Sequence, residues 1–459
     1  MRRPLAASLA AALALAACAG PRPGPPPAAA VSPPGAWRTP PDASGTVAAD
    51  WWAAFGDPAL TRVVETALAH NTDIATAAAR VAEARAAYRL ARAQELPNVS
   101  AVAVGGRQRD VSPFGTPRLQ TLGQAQLSAG YDADLFGRLS QASAAARASL
   151  LATEAARDSV RLAVAATAAG GYINLRALDA RLAVLRSTLD DRAATLKFNR
   201  RRAEAGYSPQ LELAQAEAEY HAAEQLIPAT QAAIQRQEDA LAVLLGDNPR
   251  AIERGRDLSA ITPPAVPAGL PADLLRRRPD LAQAEDQVVA ADRSLDAARA
   301  AFLPSIQLSG SGGQVDSSLL NDPVRIFFLG GSVLAPVMDS GRLRAQQKIA
   351  AARRDQAAFA YRKAALSAFR EADDALDAQK RTAEQLADVT AQREALARVL
   401  TLATNRYRAG YSPYLEQLDA QRSLLSADLI LVQVRADRLN AAVSLYQALG
   451  GGWTPPAGR

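Results

Sequence analysis

Polar and apolar positions along this chain keep two different periods. Gln124, Gln126, Ser128, Asp132 and Asp134 alternate with Ala125, Leu127, Ala129, Tyr131, Ala133 and Leu135, the period of two that predicts a strand with one polar and one apolar face. Ser305, Gln307, Ser309 and Ser311 alternate in the same way with Ile306, Leu308 and Gly310. Val99–Gly106 and Ile326–Val337 are the expected partners, with hairpin loops at Arg107–Leu119 and Asp316–Val324. Elsewhere the pattern is helical. A first helix is expected from Pro58, well placed at a first turn, to His70, and a second from Asn71 to Glu95.

Two stretches without proline, Arg138–Ser208 and Ser340–Ser412, are each long enough for a helix of about 100 Å. In the second, Phe359, Leu366, Phe369, Leu376, Ala383 and Leu386 follow the spacing of a coiled-coil seam. Gly170-Gly171 predicts a local irregularity in the first. Each stretch ends in Ala-Gly-Tyr-Ser-Pro, and a helix returns to Leu245 or Leu449, with a kink or break expected at Pro228.

The chain also repeats itself. Ala205-Gly206-Tyr207-Ser208-Pro209 returns as Ala409-Gly410-Tyr411-Ser412-Pro413, an offset of 204 residues. Gly137-Arg138-Leu139 and Leu245-Gly246 return at the same offset, while Leu96-Pro97 returns as Leu303-Pro304, three residues off it. A period of that size is a domain rather than a solenoid repeat. The expected organisation is residues 51–249 as a first repeat, 250–272 as an inter-repeat segment, 273–450 as a second repeat and 451–459 as a tail.

The N-terminus stands apart. Arg2-Arg3 precedes an apolar run, Leu5–Ala17, too short to span a bilayer, and then Cys18, the only cysteine. Residues 1–17 are the expected signal peptide. The ending Leu-Ala-Ala-Cys resembles a lipobox, which implies acylation of Cys18, and Ala19 in place of aspartate argues against retention in the inner membrane. Nine prolines fall between Pro21 and Pro41, so residues 18–50 are expected to form an extended, lipidated tether.

Composition narrows the chemistry. Two histidines (His70, His221) and one cysteine leave no basis for a His/Cys metal site or a catalytic thiol. The net charge of +6 rests on arginines spread along helices among nearly as many acids, a solvated ion-paired surface rather than a nucleic-acid face. No phosphate loop, metalloprotease motif or nucleophile elbow is present, so no enzyme, cofactor or metal is expected.

Four strands of about ten residues cannot close a membrane barrel, which begins at about eight strands. If they span a membrane, several chains share one barrel. Taken with Asp50-Trp51-Trp52-Ala53-Ala54-Phe55-Gly56-Asp57-Pro58-Ala59-Leu60, Leu274-Leu275-Arg276-Arg277-Arg278-Pro279-Asp280-Leu281, and Tyr407-Arg408-Ala409-Gly410-Tyr411 leading into Leu418-Asp419-Ala420-Gln421, the duplicated chain resembles the TolC-like outer-membrane efflux proteins, in particular the lipoprotein (OprM/NodT-like) branch. That resemblance implies a mainly α protein with a membrane β-barrel: a homotrimer sharing a twelve-stranded barrel above a coiled-coil α-barrel. It also implies a periplasmic adaptor (membrane fusion protein) and an inner-membrane resistance-nodulation-division pump as partners. The residues 250–272 would belong to an equatorial belt.

By motif, the gate would comprise Tyr407 and Arg408 before the second turn and Leu415 and Asp419 after it, with Glu416 as an alternative to Asp419. Leu415 and Asp419 are four apart, on one helix face. Adaptor docking would fall on Gly206, Tyr207, Ser208 and Pro209 and on Gly410, Tyr411, Ser412 and Pro413. The expected function is the exit channel of a tripartite efflux system. A type I protein-secretion channel of the same fold is the alternative, and a pore-free coiled-coil lipoprotein a third reading.

Overall fold

The computed structural model describes residues 22–41, 45–207 and 209–456. Cys18 and Ser208 lie outside them. The first pair of helices is α1 (Pro58–His70) and α2 (Thr72–Ala93), followed by strands β1 (Asn98–Val111) and β2 (Pro117–Ala133). Then come α3 (Arg138–Glu204), α4 (Gln210–Glu224) and α5 (Leu226–Leu244). The order recurs as α6 (Leu274–Arg277), α7 (Pro279–Ala300), β3 (Ser305–Ser317), β4 (Val324–Leu334), α8 (Arg342–Arg408) and α9 (Tyr414–Ala448). The chain divides into two compact units, one built on Ala79–Glu154 and Gln283–Lys363, the other on Ser32–Ala78, Ala155–Ala282 and Ala364–Arg459.

The first unit holds one antiparallel sheet in the order β1-β2-β3-β4, so β1 and β4 are free edges. The ladders pair Val99 with Ala129, Ala101 with Leu127, Tyr131 with Leu308, Gly310 with Leu329 and Gly312 with Phe327. Directly paired residues share a face, so these side chains form one continuous apolar surface. It has no core over it: Phe327 is 86% and Leu329 85% exposed. The other face carries Gln124, Gln126, Ser128 and Asp132 beside Gln307, Ser309, Ser311 and Ser332, with Val102, Val104 and Phe328 among them. The strands run further than expected. Arg107–Val111 and Pro117–Leu119 belong to the ladder, and the turns shrink to residues 112–116 and 318–323. Polar side chains do not end a strand whose two faces are both exposed, because the ladder bonds are made by the backbone.

The repeated Gly-Arg-Leu marks each entry from strand to long helix. Gly137 and Gly341 take φ of 78° and 83°. Just before them, Asp134 accepts hydrogen bonds from the amides of Leu139 (3.0 Å) and Ser140 (2.8 Å), and Asp339 from that of Leu343 (2.8 Å). These carboxylates satisfy amides that the first helical turn leaves without partners.

In the second unit, Asp57 caps α1 by accepting from the Ala59 amide at 2.8 Å. Its other oxygen takes the Tyr172 hydroxyl and the Arg256 amide, both at 3.1 Å. Trp51, almost wholly buried, stacks on Tyr446 at 4.9 Å. Arg278 donates to the Ala448 carbonyl at 3.0 Å and pairs with Asp280 and Glu371. The two motifs rich in tryptophan and in arginine are thus packing sites for the ends of α1 and α9. The repeated Leu-Gly closes α5 and α9. Gly246 (φ 75°) and Gly450 (φ 88°) sit where a Cβ would lie 2.4 Å from the His70 carbonyl and 1.9 Å from the Arg277 carbonyl, so only glycine fits. His70 and Arg277 are 207 residues apart, the shift of the two Leu-Pro pairs.

Two expectations change, in the α8 seam and in the Pro-rich stretch. The 67-residue helix α3 runs unbroken through Gly170-Gly171, where the paired glycines predict an irregularity and not a break. The missing Cβ at Gly171 instead admits α5: a Cβ there would be 2.9 Å from Leu241, and Gln237 donates to the Gly171 carbonyl at 2.9 Å. The α8 seam holds in part. Phe369 and Leu376 are buried and Leu386 packs against Val389, Leu431 and Val434, but Phe359 and Leu366 are exposed, and there the buried line runs through Ala365, Ala368, Ala372 and Ala375. Small side chains let helix backbones approach, so alanine rather than the larger residues sets the register. The Pro-rich stretch is irregular, as its prolines dictate, but it is fastened rather than free. Arg354 is buried and donates to the carbonyls of Pro23 and Gly24, each at 2.8 Å, and Arg22 pairs with Asp292 and Asp296. Trp37 donates to the Gly269 carbonyl at 3.0 Å. As expected, the first return helix breaks, at Gln225, where Pro228 supplies no amide to the preceding turn.

Candidate functional site at the helical hairpins

The two hairpin turns are built alike. Gly206 (φ 75°) follows α3, and its amide bonds Ala203 O while that of Tyr207 bonds Arg202 O. Gly410 (φ 78°) follows α8, with its amide on Tyr407 O and that of Tyr411 on Arg406 O. This paired pattern is a Schellman cap. Pro209 and Pro413 then open the return helices with extended backbone. Tyr207 and Tyr411 are largely exposed at the turns, and nothing lies within 4 Å of a Cβ built at Gly206 or Gly410.

Behind the turns the two hairpins are locked together. Ala216, Tyr407, Tyr414 and Leu418 form a buried cluster with Leu196 packed against it. The Tyr407 hydroxyl reaches Asn199 Oδ1 at 2.7 Å and Glu212 Oε2 at 2.8 Å. Its ring meets Phe198 edge-on at 6.1 Å, lies 5.4 Å from Tyr414, and has the Arg202 guanidinium 5.3 Å from its centre. Buried Arg192 pairs with buried Glu219 at 2.5 Å and donates to its backbone carbonyl, and Arg422 holds the other Glu219 oxygen at 2.8 Å. Burial, then the bond to Glu212, raises the Tyr407 phenol above its ordinary value. Burial, then the nearby Glu219 charge, pushes Tyr414 up to about 12. Both phenols are therefore neutral at neutral pH.

Tyr407, expected at a pore constriction, thus stands inside the packing between the first and second hairpins. Arg408, Leu415, Glu416 and Asp419 are all exposed, and Leu415 and Asp419 lie on one face of α9. Among the described residues no ion pair joins Arg408 to Asp419. A cavity of about 430 Å³ opens beside Arg408 and Tyr407, lined in part by Asp191, Thr195, Arg393 and Gln421. Asn199, Glu212, Arg192, Glu219 and Arg422 were not expected at the site. Glu212 alone was signalled, through the repeated Leu-Glu (Leu211-Glu212, Leu415-Glu416). The two copies diverge: Glu212 takes the Tyr407 hydroxyl, while Glu416 faces outward.

Among the described residues no three or more His, Cys, Asp or Glu side chains group to hold a metal ion. None of their helices is long and apolar enough to cross a membrane.

A family model described as outer membrane efflux protein matches residues 63–247 and 270–451. The solvent efflux pump outer membrane protein SrpC of Pseudomonas putida is 36% identical over 407 residues, 87% of each chain. The pyoverdine export outer membrane protein OpmQ of Pseudomonas putida is 34% identical over 458 residues, 96% of each chain. Among solved structures, the outer-membrane channel OprN superposes with a TM-score of 0.86 at 29% identity, covering 95% of this chain and 99% of its own. The open-state MtrE outer membrane channel of Neisseria gonorrhoeae gives 0.84 at 28% identity, covering 94% and 98%.

Proposed function

This chain belongs to the outer membrane efflux protein family and is an outer-membrane efflux component; from that premise we propose that three copies form one passive exit channel of a tripartite pump. Each copy lends four strands to a twelve-stranded barrel. The observation that carries this reading is the sheet itself. It has two free edges, no core on either face, one apolar face and one polar face at its centre. Such a sheet is satisfied when its edges are paired with further copies, its apolar face meets lipid and its polar face lines water.

The helical hairpins stand in the periplasm, where the paired turns at Gly206–Pro209 and Gly410–Pro413 receive the hairpins of an adaptor of the membrane fusion class. The adaptor links the channel to an inner-membrane resistance-nodulation-division pump. Cys18 carries acyl chains that add an anchor to the barrel. Residues 1–17 are the signal, 18–50 the tether, 51–249 and 273–450 the repeats, 250–272 the equatorial segment between them, and 451–459 the tail. Arg408, Leu415 and Asp419 line the gate, and Tyr407 latches it from behind through Asn199 and Glu212. The relatives' names favour efflux of small molecules over protein secretion: they export solvents and pyoverdine.

The test is electrical and hydrodynamic. Purified full-length protein in a planar bilayer should give discrete single-channel steps, and its mass in detergent should be that of a trimer. A monomer without conductance overturns the proposal.

A further inference from the structure

Three arginines stand on the apolar face of the sheet. Arg107 and Arg109 follow Val99, Ala101 and Ala103 on the same side of β1, and Arg325 precedes Phe327, Leu329 and Val333 on the same side of β4. All three are exposed. None has an ion-pair partner among the described residues, and Asp316 is the one acid the strands place on that face. Asp110 belongs to the opposite face, where Gln108 donates to it at 2.9 Å.

The position of the arginines relative to the apolar band decides what they meet. On β2 the band runs from Ala133 to Gly123, about 34 Å of strand, which at an ordinary barrel tilt is about 26 Å, the height of an outer-membrane apolar belt. Gly123 pairs with Gly105 and Thr121 with Arg107, so Arg107 is the first side chain beyond the band on β1. On β3 and β4 the band ends two rows earlier, at Gly312 and Phe327, and Arg325, paired with Gln314 across from Ala125, is the first side chain beyond it there. A cation on the lipid face is costly at the midplane and tolerated at headgroup depth. At that depth, on the turn side of the sheet, the neighbouring chemistry is phosphate on lipid headgroups, which guanidinium groups bind in bidentate fashion.

Both arginine-bearing strands are the free edges of the sheet. Resting on the shared barrel proposed above, β4 of one copy must then pair with β1 of the next. We propose that each such seam forms a binding site for a phosphorylated glycolipid of the outer leaflet, made by Arg107 and Arg109 of one copy with Arg325 of the partner subunit. No single chain holds the whole site. A phosphate bridging the seam replaces the repulsion of the three cations with charge-assisted hydrogen bonds, so the lipid fastens one copy to the next.

The experiment compares the full-length wild-type protein with R107Q/R109Q, R325Q and the triple variant in nanodiscs of phosphatidylcholine, with and without lipid A, a bisphosphorylated glycolipid. Lipid A retained per trimer is counted by native mass spectrometry, and the temperature of trimer dissociation is followed on gels. Wild type should retain about one lipid A per seam and dissociate at higher temperature with it. Each variant, whichever edge it alters, should retain about tenfold less and lose the temperature increment. Equal retention by R325Q and wild type overturns the seam site, as does an equal increment from inorganic phosphate alone, which would make the effect one of anions and not of lipid. Trimer mass and conductance in phosphatidylcholine are read on the same samples. Their absence in the wild type sinks the shared barrel itself, whereas intact trimers that ignore lipid A sink only the seam site.

Discussion

Tyr407 concentrates the chemistry of the hairpin region in one hydroxyl. It bonds Asn199, which is wholly buried, and Glu212. Tyr407→Phe keeps the ring contacts and removes only those bonds, so it should cost about 1–2 kcal/mol of hairpin stability and raise open-channel probability in a planar bilayer. Unchanged gating would show that the latch is packing and not the hydrogen bonds. The pH dependence follows from the raised phenols. Since the folded pKa of Tyr414 lies above the ordinary 10, at about 12, its contribution is complete below pH 10 and is lost as pH rises from there through about 12. Tyr407, also raised, loses its contribution on the same alkaline side. Thermal unfolding should therefore be insensitive to these groups between pH 6 and 9 and fall above 10. Glu219 is a different case, because its removal strands buried Arg192. Glu219→Ala should destabilise the helical unit by about 3–5 kcal/mol, read as a lower melting temperature and faster proteolysis at the hairpins.

The repeated glycines separate into two kinds of element boundary. At Gly450 a Cβ would overlap the Arg277 carbonyl at 1.9 Å, whereas at Gly410 the space is open. Gly450→Ala should thus lower the melting temperature far more than Gly410→Ala, whose cost is the left-handed backbone alone, about 1 kcal/mol. The reverse order is expected for efflux. Gly206→Trp and Gly410→Trp should leave trimers intact and abolish drug resistance, because the bulk falls where the proposed adaptor would approach. Equal resistance in a well-expressed double variant would remove the turns from the docking surface. These boundaries were legible in the sequence because a tight turn needs glycine or proline wherever it occurs: α1 begins at Pro58 and ends at His70 as expected, and the first return helix breaks ahead of Pro228. Two things were not legible. Arg107–Val111 reads as loop because polar strands are recognised by a buried face, and this sheet buries neither. Asn199 and Tyr407 meet across 208 residues, outside the 204-residue repeat, through packing between the hairpins that no local period records.

At the scale of the whole molecule the channel must be closed at rest, since an open duct through the outer membrane would leak. Among the described residues no ion pair ties Arg408 to Asp419, although both are exposed near the second turn and Asp419 shares its helix face with Leu415. In the proposed trimer they would pair between copies, each contact repeated three times around the pore. An exposed pair contributes about 0–1 kcal/mol. In the proposed trimer, three such pairs with three copies of Leu415 would bias a two-state aperture by a few kcal/mol, and opening would then require a partner that binds the open state more tightly than the closed one. Arg408→Ala with Asp419→Ala should increase single-channel conductance and sensitise cells to antibiotics too large for ordinary porins, such as vancomycin, and Leu415→Ala should act in the same direction. Cys18→Ser behind an ordinary signal peptide provides the control, because the proposed three-sheet barrel would hold the protein in the membrane without acyl chains, so trimers and conductance should persist. If the double variant conducts as wild type does while Tyr407→Phe opens the channel, the closed state is held from inside each chain by the hairpin cluster, and the exposed charges serve only as the lining of the pore.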